Sequence, residues 1–292
     1  MDRPARRIRE RHGNETARAA LWPMPVEEFL SGPYLRRADV VLTRKSRDVR
    51  SWLIRWATQG SFSHAALVFL VPHQEQGFDN TFVIEAAAKG VDLANLADYL
   101  SDRRTIVGIK RVPARWFDKD LQCLVRGRML NSIQSRYSYA TAIDIGLAFL
   151  GRLAFGVRSR VQGTRKAISD RRRQALAPPN EFICSGLVQL GFLHAITEQV
   201  AAGTLEPRSI ADIVFHEEVA RFLPEDWDQF TPAEQHEIMW DLARGFGDVL
   251  EAVTPEHLAC SPRLEWVYVV RDQRVFPVST EAEARALLDW RP

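Results

Sequence analysis

A cysteine performs acyl chemistry when it is held as a thiolate beside a base that a third group keeps in place. Cys184, His64 and Glu85 have the residue types and settings for that role. Cys184 follows Pro178-Pro179 and Asn180-Glu181-Phe182-Ile183. The prolines disfavour a helix continuing from upstream, so a new helix is predicted to begin here with the cysteine in its first turn. A helix N-terminus supplies partial positive charge and unpaired N–H groups, which lower a thiol pKa and can hold an oxyanion. The plain alternative is a buried cysteine that only packs.

The chain has seven histidines. His12 and His73 fall in predicted loops, and His194, His216, His236 and His257 lie on or beside predicted helices. Only His64 opens an apolar strand, in Ser61-Phe62-Ser63-His64-Ala65-Ala66-Leu67-Val68. Glu85 is the only charge in Phe82-Val83-Ile84-Glu85-Ala86-Ala87-Ala88. Such groups are costly to bury unless they pair. A hairpin of these two runs brings Glu85 near His64, where its carboxylate would fix the imidazole tautomer and raise its basicity. A slip of one residue would put the two on opposite faces.

The same trio could ligate zinc. With only three ligands and no close-spaced Cys or His pair, neither a metal nor a cofactor is expected. His216-Glu217-Glu218-Val219 lacks the second histidine of a zincin helix and reads as a solvated helix face.

The elements that must position these residues follow from periodicity. Residues 1–33, Arg-rich and then broken by Pro23, Pro25, Gly32 and Pro33, read as an N-terminal extension with a short helix near 26–30. Residues 39–43 read as a strand. Residues 46–60 read as an amphipathic helix with Val49, Trp52, Leu53 and Trp56 on one face and Gly60 past its end. Strands are predicted at 62–71, 81–87 and 105–112, with a brief connection over 91–100; these form a small antiparallel sheet. Helices are predicted at 118–133, 139–153, from 180 onward, 209–222, 232–252 and 281–288, with a late strand at 264–270. Residues 156–179 read as a long basic loop, and about 205–252 as a helical insertion in a domain spanning 34–292.

Composition bounds the class. The 292 residues are 46% hydrophobic and 26% charged, as in soluble globular proteins. The net charge of +2 gives no argument for nucleic acid. Basic residues cluster over 3–11 and 152–173, as solvated segments or as contacts to an anionic partner or membrane surface. Three widely spaced cysteines are no disulfide framework, and the early residues lack the apolar run of a secretory signal, so a cytoplasmic setting is expected. The nearest thing to a membrane span, residues 139–155, carries Asp144 and Arg152.

Several segments together resemble the circularly permuted branch of the NlpC/P60 papain-like superfamily, the YaeF/YiiX-type proteins. They are Asp39-Val40-Val41-Leu42-Thr43-Arg44, Trp52-Leu53-Ile54-Arg55-Trp56-Ala57-Thr58 and Phe62-Ser63-His64-Ala65-Ala66-Leu67-Val68. Val83-Ile84-Glu85-Ala86, Gly90-Val91, Phe182-Ile183-Cys184-Ser185 and Thr254-Pro255-Glu256-His257-Leu258 with Leu264 complete the match, over roughly residues 35 to 270. Ala38 and Gly186 depart from the branch pattern: relatives usually have glycine before the Asp, and often a larger residue after Cys-Ser.

The resemblance implies an α+β fold with a permuted papain-like core, in which a small antiparallel sheet packs against helices including the one bearing the cysteine. It implies Cys184 as nucleophile, His64 as base and then acid, and Glu85 as orienting group. Ser63, Ser185 and Tyr139 are the substrate-side candidates. Tyr139 either lines the cleft or packs on the core, and Ser185 either serves the oxyanion or caps its helix. The implied substrate is a small-molecule, peptide or lipid-like amide or ester, and hydrolysis or lipid-directed acyl transfer would follow. A non-enzymatic binding module on the same fold is the remaining reading.

Overall fold

The computed structural model describes residues 23–58, 60–87, 90–131, 136–137, 181–182, 184–216, 229–231, 234 and 253–289. Strand β1 (Met24–Pro25) and helix α1 (Val26–Ser31) come first, followed by β2 (Val40–Lys45), α2 (Val49–Thr58) and β3 (His64–Leu70). Next are β4 (Phe82–Ala87), β5 (Gly90–Asn95), α3 (Leu96–Ser101), β6 (Thr105–Arg111) and α4 (Lys119–Leu130). The two-residue strands β7 (Arg136–Tyr137) and β8 (Glu181–Phe182) pair in parallel, apart from the main sheet. Then come α5 (Cys184–Ala201), α6 (Ser209–Asp212), α7 (Pro255–Cys260), β9 (Glu265–Arg271), β10 (Arg274–Pro277) and α8 (Glu281–Asp289).

The main sheet has eight antiparallel strands in the order β1-β10-β9-β6-β2-β3-β4-β5. Alternation along each strand divides its apolar residues between two faces. Leu42, Ala65, Leu67, Ile84 and Ala86 pack toward α4 and α5, against residues such as Val125, Leu187 and Phe192. Val41, Ala66, Val68, Val83 and Ile109 pack toward the other side, against Met24, Phe29, Leu96 and Leu100. Helix α5 is apolar on nearly every side because it is buried along most of its length. It meets α4 closely at Gly191, where an added Cβ would overlap the Met129 side chain.

Buried charges tie the sheet to its surroundings. Asp39, just ahead of β2, accepts two 2.7 Å hydrogen bonds from the Arg111 guanidinium at the end of β6, and a third at 2.8 Å from the Arg36 backbone N–H. Ala38 precedes it with φ of 62°. That is the left-handed region where glycine is least strained. Lys110 is fully buried, and its ammonium donates to the carbonyls of Leu258, Ala259 and Ser261 at 3.1, 2.6 and 3.0 Å. It thereby satisfies carbonyls at the C-terminal end of α7 that the helix leaves unpaired.

Several expectations change. Residues 24–31, read as part of an extension, bury Met24 and Phe29 in the second core, so the body begins earlier than residue 34. The sheet is twice the expected size because β1, β5, β9 and β10 join it. Residues 91–100 are β5 and α3; Asn95 starts the helix by accepting the Ala97 N–H on its side-chain oxygen at 3.0 Å. The helix expected over 209–222 is helical only through Asp212 among the described residues. The helices at 139–153 and 232–252 and the loop at 156–179 lie outside the described residues, apart from Glu234.

Candidate active site

The hairpin register decides whether His64 and Glu85 can meet. Glu85 lies directly opposite Ala66, two residues from His64, so both side chains emerge on the same face as diagonal neighbours. The His64 Nε2 and Glu85 Oε2 are 2.5 Å apart. The imidazole also interacts with the Cys184 thiol, through charge and a hydrogen bond.

The backbone explains how the sulfur reaches the ring. N–H groups alternate in direction along a strand. Val68 N–H bonds the Asp39 carbonyl on the β2 side, so the Ala65 N–H, three residues away, faces β4. The ladder to β4 begins only at Ala66. The Ala65 N–H is thus free of the ladder, and it donates to the Cys184 sulfur. A second backbone N–H, that of Ser185, does the same.

Charge follows geometry. Burial would raise the Cys184 pKa, but the His64 imidazolium, its hydrogen bond and the two backbone donors lower it. Burial would lower that of His64, but the Cys184 thiolate and then Glu85 push it up to about 10. Glu85 is held below its usual value despite burial by His64 and by the Tyr99 hydroxyl. Both shifts favour a thiolate beside an imidazolium, with the sulfur at the positive end of an 18-residue helix.

Tyr99 on α3 donates its hydroxyl to the same Glu85 oxygen that His64 uses. Its ring stacks on the imidazole, with centroids 6.4 Å apart and planes 18° apart. Burial, and then the Glu85 charge, drive its pKa far upward, so it stays a donor. Sequence reasoning missed this residue. Reading Asn95 as a helix cap would have put 96–101 on a helix and Tyr99 within it.

The two candidate serines are occupied inside the protein. Ser63 is buried with its hydroxyl 2.8 Å from that of Ser51 and 3.3 Å from the Thr43 carbonyl. The Ser185 hydroxyl is buried and donates to the Val253 carbonyl at 2.5 Å. Ser185 serves the sulfur through its backbone instead. Tyr139 lies outside the described residues.

Among the described residues, no group of three or more His, Cys, Asp and Glu is arranged to hold a metal ion. No helix among the described residues is long and apolar enough to cross a membrane.

No family model matches the chain, and no curated protein matches it. One similar solved structure is titled "Crystal structure of metalloprotein yiiX from Escherichia coli O157:H7, DUF1105". It is 13% identical, with a TM-score of 0.42, over 80% of this chain and 97% of that one. The likeness is distant, and that protein belongs to the YiiX/YaeF branch.

Proposed function

We propose that this chain is a thiol-dependent hydrolase of amides or esters that works through a Cys184–His64–Glu85 triad. The observation that carries this reading is the hydrogen-bonded relay from sulfur to imidazole to carboxylate at a helix start. Cys184 thiolate would attack the substrate carbonyl carbon, and the oxyanion would face N–H groups at the start of α5. As that intermediate collapses, His64 gives its proton to the departing amine or alkoxide, leaving a thioester on Cys184. Neutral His64 then takes a proton from water, which attacks the thioester and releases the acid and the thiolate. Glu85 holds the ring and favours its charged form.

The chain order supports the finer fold reading, a permuted papain-like core. The histidine and acid precede the cysteine, and the cysteine helix packs on the strands that carry them. Activated esters and amides, followed by mass spectrometry of the quenched enzyme, test the function. The expected result is an acyl adduct on Cys184 and loss of turnover in Cys184→Ala. Undiminished turnover in Cys184→Ala refutes the proposal.

A further inference from the structure

Helix α2 turns its apolar stripe outward. Val49, Trp52, Leu53 and Trp56 follow the i, i+3, i+4, i+7 spacing of one helix face, and they are 71, 54, 48 and 36% exposed. Four of the seven large apolar side chains exposed among the described residues thus lie on this one helix, which makes a patch rather than a scatter. The Trp52 and Trp56 rings stack, with centroids 6.2 Å and planes 17° apart, forming a continuous slab. What anchors α2 to the body is its polar side. Ser51 is buried, bonded to the Ser63 hydroxyl, and accepts the Lys45 N–H at 3.2 Å.

The charge around the stripe selects its partner. The helix carries Arg50 and Arg55 and no acidic residue, and exposed Arg47 stands just ahead of it. Asp48 is engaged in capping, its Oδ1 accepting the Ser51 N–H at 2.7 Å. Lys45 pairs with Asp102 at 2.8 Å. Indoles favour the bilayer interface, and an apolar stripe on a helix whose own charges are arginines matches anionic headgroups. Two copies packed stripe to stripe would instead bring like charges together.

We propose that α2 docks this chain on an anionic lipid surface, with Val49, Trp52, Leu53 and Trp56 seated at the headgroup boundary. The hydrogen bond between Ser51 and Ser63 joins this helix to the residue next to His64. The docking stands on α2 alone. That the substrate is an amide or ester borne by lipid rests on the hydrolase reading above.

Flotation of the full chain with phosphatidylcholine vesicles, with and without phosphatidylserine, tests the docking. Binding is expected on the anionic vesicles only, and added salt should weaken it. Trp52→Ser/Trp56→Ser should lower the bound fraction by at least ~10-fold. Arg47→Glu/Arg50→Glu should remove the preference for phosphatidylserine. Melting temperatures report whether these variants fold, and Leu53→Glu serves if the tryptophan pair does not. Cys184→Ala should float like the parent, so failure of the chemistry appears in turnover and failure of docking in flotation. The proposal is overturned by absence of binding to anionic vesicles, by unchanged flotation of the folded tryptophan or Leu53 variant, or by a dimer that the same substitutions dissolve.

Discussion

Glu85 holds His64 through Nε2, at 2.5 Å, while the same imidazole interacts with the Cys184 thiol. The carboxylate thereby biases the charge of the pair. Its replacement should therefore be felt first as a change in titration.

Glu85→Gln keeps an acceptor for Nε2 but removes the charge that favours imidazolium. The Cys184 thiol should then ionise at higher pH, and kcat/KM on an activated ester should fall by roughly 10²-fold. Alkylation rates measured across pH report the shift directly. An unchanged profile would mean that Glu85 only fills space.

Cys184 should alkylate with iodoacetamide at lower pH than Cys260. Opposite-charge stabilisation lowers the first thiol, whereas burial and then the Glu256 carboxylate raise the second. The thiolate–imidazolium form of the site should persist upward until His64 loses its proton near pH 10. Peptide mapping after brief alkylation at pH 6 should find label at residue 184 well ahead of residue 260. The reverse order would contradict the ion pair.

Tyr99→Phe removes one donor to Glu85 and leaves the stacked ring. Loss of a hydrogen bond to a charged group is worth roughly 2 kcal/mol at most sites, so activity should drop by about tenfold or more. The Cys184 titration should shift because Glu85 is less well stabilised as an anion. A loss of stability with the titration unchanged would reduce Tyr99 to a packing residue.

Ser63→Ala and Lys110→Met probe the scaffold. Ser63→Ala leaves the Ser51 hydroxyl without that partner and should cost about 1 kcal/mol in urea unfolding. A change in KM with stability intact would return Ser63 to the substrate side. Lys110→Met takes the ammonium from three buried carbonyls, of which that of Ser261 keeps the Leu264 N–H, and should cost about 3 kcal/mol.

Much of this site can be read from the chain because each of its polar members interrupts an apolar run. His64 and Glu85 stand out in strands that are otherwise Ala, Val, Ile, Leu and Phe, and Cys184 stands where a helix must begin. Their register could not be read, since it depends on where the β3–β4 ladder starts. Tyr99 is hidden in the sequence because its six-residue helix is too short to show a period. The spacing of Val49, Trp52, Leu53 and Trp56 marked a helix correctly, but periodicity does not say which way a stripe faces. Residues 24–25 could not be assigned to the sheet because their partners, Arg274 and Val275, lie at the far end of the chain.

The sheet's two outer strands limit how copies of this chain can associate. On one flank β1 is only two residues long, and its Pro25 has no N–H to give. On the other, the Leu93 N–H of β5 is taken by the Asp92 carboxylate at 2.7 Å. Neither flank offers an unbroken row of donors and acceptors to an incoming strand. Fibrillar growth by edge-to-edge addition is thereby disfavoured, and crowding this chain on a surface need not seed it.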